Sequence, residues 1–285
     1  MPVTLATATP GGGFPLYGGV VAEVINAIDP SLRVECRNSK GSTENVPLLE
    51  AGEVDLGLVT GEVAIGPLSR KSGLSILTAM YSTAGMFVVR GDSPARTIAD
   101  LKDKPVVFGA AGSGLVVLAR TVLDGLGLDI ERDFQAIYLE RAGDGPDMVL
   151  DGRAAALWGG GVGWPGFAKV AEAGGRFIAP NAAEIAQIRA RHAFLKPLTM
   201  PAGAYPNQST PIHSVGSWSF VLARPGLPDD IGYRLTKALH QGEAQLAAKL
   251  DQAKETTAAN TAAAAPDPAL IHPGVATYLR EIGIL

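Results

Sequence analysis

The feature that most limits the fold is alternation. Short apolar runs suited to strands are followed, again and again, by runs with helical spacing. That order implies a mixed α/β fold with a mainly parallel sheet, because parallel neighbours need a crossover between them and a helix is the usual one. The first strand is expected over 3–7 and the first helix over 16–27. Residues 32–36 alternate, with Leu32, Val34 and Cys36 on one side and Arg33, Glu35 and Arg37 on the other, which is the pattern of a half-buried strand. A helical stretch at 45–50 and buried strands at 56–60, 76–79 and 86–90 complete a first series. A second series has strands at 106–109, 136–139, 155–158 and 176–178. Its helices are expected at 115–126, 146–151, 166–173 and 182–192. The stretch MPAGAYPNQSTP is a polar, proline-marked loop. A strand at 217–223, a long helix at 229–250, a low-complexity surface excursion TTAANTAAAAPDP and a short helix at 277–284 close the chain.

Two series of comparable size imply two lobes, one of residues 1–90 plus 213–285 and the other of 91–212. The chain is expected to cross between them near 90–93 and again near 212–217. With 285 residues, 47% hydrophobic and 18% charged, it has ample material for two packed cores. Ligands of such proteins tend to sit in a cleft between lobes and at the carboxyl ends of parallel strands. A net charge of −4 with no basic run excludes a nucleic-acid partner. No window of about 18 uninterrupted apolar residues occurs, so no membrane-spanning helix is expected. The N-terminal MPVTLATATPGGGF has no basic segment followed by an apolar core and reads as a trimmed start rather than a leader. The single cysteine, Cys36, permits no internal disulfide and leaves the compartment open.

Three glycine-rich turns follow predicted strand ends. The first contains Thr9, Gly11, Gly12 and Gly13, ahead of Phe14 and Tyr17. The second contains Ser42, Thr43 and Glu44. The third, GAAGSG, ends in Gly112, Ser113 and Gly114. Helix N-termini expose unpaired N–H groups and partial positive charge, and glycine lets a guest approach the backbone. Each turn alone also fits an ordinary N-cap. Together they point to a site for a small anion such as a carboxylate. Arg141 follows a predicted strand end and has the reach to pair a carboxylate in bidentate fashion, and Lys40 has a comparable position in its own turn. Glu62 is placed to meet a ligand ammonium, while Glu44 reads as a helix-start residue. For Trp158, Gly159 and Trp164, in the run WGGGVGW, two readings stand: a cleft wall for an apolar ligand part, or core packing. Phe14 and Tyr17 carry the same two readings.

Sharper motifs are excluded. GAAGSGLV lacks the lysine and Ser/Thr of a phosphate-binding loop, having Leu115 and Val116 there. The run from Gly161 to Gly166 matches G-x-G-x-x-G, but Trp164 and Pro165 crowd the turn and no acid stands ready for a ribose. There is no G-x-S-x-G elbow. The histidines 192, 213, 240 and 272 are scattered. His192 and His240 are expected on helix surfaces, and no metal spacing and no cofactor motif is found.

Four segments together resemble the TAXI-type solute receptors of tripartite ATP-independent periplasmic (TRAP) transporters. They are TPGGGFPLYGG, KGSTENVPLLEAGEVDLGLV, TIADLKDKPVVFGAAGSGLVVLAR, and MPAGAYPNQSTP with HSVGSWSFVLAR. HPGVATYLRE near the end fits as well. The resemblance implies a periplasmic-binding-protein type II-like fold of two α/β lobes joined by two crossover hinges. It implies a periplasmic, monomeric receptor that captures a small organic anion (an amino acid, oxoacid or dicarboxylate) and delivers it to a membrane permease, without enzymatic activity, metal or cofactor. The family's glycine loop falls on residues 7–14, its S-x-E-N turn on Ser42 to Asn45, and its G-x-x-G-S-G loop on residues 109–114. The chain departs from the family at Gly13-Phe14-Pro15, at Thr60-Gly61-Glu62 and at Trp158-Gly-Gly-Gly, which points to a wider, more apolar or aromatic acid. A cytosolic enzyme or ligand sensor of the same bilobal fold is the alternative.

Overall fold

In the computed structural model, which describes residues 2–285, the polypeptide forms two α/β units. Met1, the start of the expected first lobe, lies outside the described residues. The first unit comprises 2–8, Phe14–Tyr81 and Trp218–Leu285, and the second Thr9–Gly13 and Ser82–Ser217. The chain therefore changes unit at Tyr81–Ser82, ahead of the expected 90–93. It changes back at Ser217–Trp218, and the turn Thr9–Gly13 belongs to the second unit.

The first unit opens with β1 (Val3–Ala6), α1 (Gly13–Ile28), β2 (Val34–Arg37), α2 (Ser42–Glu50), β3 (Leu56–Thr60) and α3 (Gly61–Ser69). β4 (Ser75–Val89) starts in this unit and ends in the next. β1 lies between β2 and β3, parallel to both, with Val3 opposite Val34 and Leu5 opposite Leu56. One apolar face of these strands packs under α1, around Leu5, Val21, Ile25, Leu56 and Leu58. The other covers Leu49, Val59, Leu68 and Ile76.

The second unit contains β5 (Pro105–Ala110), α4 (Gly114–Gly125), α5 (Ile130–Asp133), β6 (Gln135–Leu139), α6 (Gly145–Leu150), β7 (Ala156–Gly160), α7 (Pro165–Glu172), β8 (Arg176–Ile178), α8 (Ala182–Arg191) and β9 (Lys196–Met200). β5 is parallel to β6 on one side and to β7 on the other, while β4 runs antiparallel to β7 and β8. Its two cores centre on Phe87, Phe108 and Trp158, and on Trp164, Phe167 and Tyr205.

β10 (Ile212–Ala223) returns the chain to the first unit, where α9 (Asp229–Gln241), α10 (Glu243–Lys249), α11 (Ala258–Ala264) and α12 (Pro273–Glu281) follow.

Five expectations are corrected. The strands expected at 76–79 and 86–90 are one, β4, because the residues between them, Met80 to Gly85, continue the strand and all but Ser82 are buried. The strand expected at 217–223 begins at Ile212 and pairs antiparallel with the unforeseen β9, through Ile212–Met200 and Val215–Pro197. The long helix stops at Gln241 and restarts after Gly242, which packs against α1 at Ile28. TTAANTAAAAPDP is no surface excursion. Thr257 caps α11, and Thr256, Ala258 and Thr261 are buried, with Thr261 Oγ1 accepting the Ala79 N–H at 3.1 Å. Cys36 is exposed, because β2 is an edge strand paired only with β1.

Candidate functional site

In the first unit the carboxyl ends of β1, β2 and β3 lie at one sheet edge, as their parallel pairing requires. The helices that follow β2 and β3, α2 and α3, therefore start at that edge. Neither has a side-chain cap at its N-terminus. Ser42 is fully buried, and its Oγ accepts the Thr60 N–H at 3.1 Å. Asn45 is fully buried as well. Its Nδ2 donates to the carbonyls of Thr7 and Leu58, both at 2.8 Å, and its Oδ1 accepts from Ser39 Oγ at 2.7 Å. Both side chains are thus committed to fastening α2 onto β1 and β3. This corrects Asn45 from a ligand contact to a structural one: its hydrogen bonds go to two backbone carbonyls and to Ser39. Thr43 is exposed, and Glu44 accepts the Lys40 N–H as a helix-start residue. Thr60 is 6% exposed, and Glu62 is half-buried in the first turn of α3.

Tyr17 also belongs to the core. It is fully buried, its hydroxyl is 3.0 Å from Thr256 Oγ1, and its ring meets Tyr81 edge-on at 5.3 Å. Burial pushes the phenol well above its ordinary range, only partly opposed by the Thr256 hydrogen bond. Phe14 packs partly buried against the same core.

In the second unit the turn Thr9–Gly13 lies on residues 142–143. A Cβ on Gly11 would fall 2.8 Å from Gly143 Cα and N, and Gly11 has φ +82°, so the two backbones touch because glycine stands at position 11. Thr9 and Gly12 are partly accessible there, while Gly13 is buried. Arg141 lies just before this contact, beyond the end of β6. It is exposed and has no ion-pair partner among the described residues. β5 and β6 are parallel, with Ala110 opposite Leu139, so the Gly112–Gly114 turn and Arg141 leave neighbouring strand ends on the same side. Ser113 caps α4, its Oγ accepting the Val116 N–H at 3.4 Å. Thr9, Gly11, Gly12, Gly112, Ser113, Gly114 and Arg141 are therefore grouped around one edge of this unit.

Of the two readings of the tryptophans, core packing is the one the structure shows. Trp158 is fully buried, donates Nε1–H to the Leu115 carbonyl at 2.8 Å and meets the Phe87 ring at 4.9 Å. Trp164 is 5% exposed and packs edge-on to Phe167 at 4.9 Å. A Cβ on Gly159 would lie 2.7 Å from Trp164 Cε3, so Gly159 makes room for a neighbouring ring. Tyr205 secures that turn, accepting the Trp164 N–H and donating to the Gly161 carbonyl, both at 2.7 Å. The rings are spent on packing rather than on a ligand wall. Sequence reasoning did not single out Tyr205, which lies in a polar loop far from Trp164 along the chain.

The histidines differ from expectation too. His192 is half-buried, with Nε2 2.7 Å from Asp124, and His240 is half-buried beside the Tyr278 hydroxyl at 2.9 Å. His272 is buried as the N-cap of α12, its Nδ1 accepting the Gly274 N–H. Among the described residues no group of three or more His, Cys, Asp or Glu converges as a metal site. No helix among them is long and apolar enough to cross a membrane.

The model of the NMT1-like family matches residues 5–283. The chain belongs to the NMT1-like family. Solved structures share the fold of this NMT1-like chain at low identity. MatC from Rhodopseudomonas palustris with bound malate is 13% identical, covers 99% of this chain and 96% of its own, and has a TM-score of 0.62. The periplasmic aliphatic sulphonate binding protein SsuA from Escherichia coli is 18% identical, covering 98% and 78%, with a TM-score of 0.51. The effector binding domain of QuiR in complex with shikimate is 11% identical, covering 86% and 98%, with a TM-score of 0.53. The fold is thus mixed α/β of the periplasmic-binding-protein type II-like kind.

Proposed function

We propose that this NMT1-like protein is a solute receptor that captures a small organic carboxylate outside the cytoplasm and delivers it to a membrane permease. The observation that carries this reading is Arg141, a guanidinium with no ion-pair partner among the described residues, beside the open turn of Thr9–Gly13 and the start of α4. A guanidinium with free donors matches a carboxylate, and backbone N–H groups at a helix start add partial positive charge. Malate, a sulphonate binder and shikimate among the related folds are in keeping with an acidic solute. The tryptophans and Tyr17 lie in cores, so a compact polar acid fits better than an aromatic one. On this reading the receptor releases its ligand unchanged. The segments quoted above favour a TRAP-type permease and the TAXI subfamily as the setting.

Native mass spectrometry of the purified protein is expected to release a small carboxylic acid, and that acid should raise the melting temperature by mass action. Failure of every acid in a broad panel to shift melting would overturn the reading. The fold shared with an effector-binding domain supports a second reading, ligand sensing in the cytoplasm. Locating the protein in cell fractions separates the two.

A further inference from the structure

Thr60 ends β3, and Ser219 stands directly opposite it in the antiparallel β3–β10 pair. Residues opposed in this way send their side chains to the same face, with Cβ atoms about 4.5–5.5 Å apart. Thr60 is 6% and Ser219 1% exposed. Among the described residues neither Oγ has a hydrogen-bond partner. Thr60 also occupies the N-cap position of the nine-residue helix α3, where a threonine hydroxyl usually accepts a first-turn N–H, yet it makes no such bond. Its own N–H is taken by Ser42 Oγ.

Buried hydroxyls are almost always paired, so two adjacent ones without acceptors form half of an interaction. Each brings an O–H to donate, and the first-turn N–H groups of α3 have no intrahelical acceptors. Glu62 lies in that same first turn, so the place depends on donated hydrogen bonds rather than on net positive charge. The occupant that completes it is an oxygen acceptor. We infer that Thr60 and Ser219 form a two-hydroxyl clamp on the first unit that donates to one oxygen of an organic acid, which makes Ser219 a ligand-binding residue. This deepens the receptor reading and rests on it.

The test titrates wild type, Ser219→Ala, Thr60→Val and the double variant calorimetrically with malate, succinate, glutamate, 2-oxoglutarate and benzoate, and melts each protein without ligand. For the acid that wild type binds best, each single variant should bind tenfold or more weakly. The double variant should lose less than the product of the two, since both hydroxyls serve one oxygen. The ligand-free melting temperature of Ser219→Ala should be unchanged or raised, because an unpaired buried hydroxyl is removed. Affinity within twofold of wild type in Ser219→Ala would overturn the clamp alone, as would a melting temperature several degrees lower with affinity retained. If wild type binds none of the acids, the receptor reading falls and the clamp falls with it.

Discussion

Ser42 Oγ accepts the backbone N–H of Thr60 at 3.1 Å, tying the first turn of α2 to the last residue of β3. Ser42 is fully buried and Thr60 nearly so. In Ser42→Ala that N–H keeps its burial and loses its acceptor. Leaving a buried donor unsatisfied costs about 1–3 kcal/mol, well above the net value of an average hydrogen bond. Urea unfolding should show that loss at unchanged m-value, with melting lowered by roughly 2–4 °C per kcal/mol for a chain of this size. Stability within 0.5 kcal/mol of wild type would mean that the bond is not what holds α2 to β3.

A second fastening is ionic. Asp55 Oδ2 accepts from Thr4 N and Thr4 Oγ1 at 2.9 and 3.0 Å, and its Oδ1 receives Arg224 Nε at 2.9 Å. Burial raises the carboxyl's pKa, but the Thr4 and Arg224 contacts outweigh it and hold the group below the usual carboxylate range. The unfolded chain, with a value of about 3.9, binds the proton first as pH falls. The stabilisation is therefore complete above that value and is lost as pH drops through it toward the folded value. Asp55→Asn should cost about 1–3 kcal/mol at pH 7. Its deficit against wild type should shrink by about pH 3, as measured by urea titration at both pH values. A deficit that grows on acidification would refute the argument.

What was legible in the residues was local. The alternation of strands and helices, the turns after β1, β2 and β5, and the placement of Ser113 as a helix-start residue all follow from short-range patterns. What was hidden depends on which strands become neighbours. Nothing near Asn45 reveals that the carbonyls of Thr7 and Leu58 will consume its amide, because β1 and β3 come together only through the sheet. Gly159 was open to two readings, cleft wall or core packing, and it is bare because Trp164 folds back over it. β9 left no strand pattern in the sequence; it is an edge strand, which tolerates Pro197, and among the described residues it pairs only with β10. The clamp residue Ser219 carries no sequence signal beyond one serine in an apolar run. Its interest arises from the register that sets it opposite Thr60.

The packing of Trp164 gives a third prediction. A methyl group on Gly159 would meet Trp164 Cε3 at 2.7 Å and Phe167 Cε1 at 3.0 Å. Both rings are buried and already locked edge-on, so neither has free space to enter. Overpacking of this kind costs typically about 1–3 kcal/mol. Gly159→Ala should unfold at lower urea and show altered near-ultraviolet circular dichroism from the displaced indole. A wild-type spectrum with undiminished stability would show that the ring can yield.

Arg141 separates binding from stability. It is exposed, and no described acidic group pairs with it. Arg141→Gln therefore removes no internal contact, and exposed substitutions of that sort usually change stability by less than about 0.5 kcal/mol. Its bidentate match to a carboxylate is lost, however, and a charge-assisted pair of hydrogen bonds is worth about 1.5–3 kcal/mol, or roughly 10- to 150-fold in affinity. Arg141→Lys should recover only part of this, since an ammonium keeps the charge without the planar fork. Calorimetric titration of the three proteins with the acid that wild type retains on purification checks the ordering. Equal affinities would remove Arg141 from the site, and a large fall in melting temperature would reassign it to the fold.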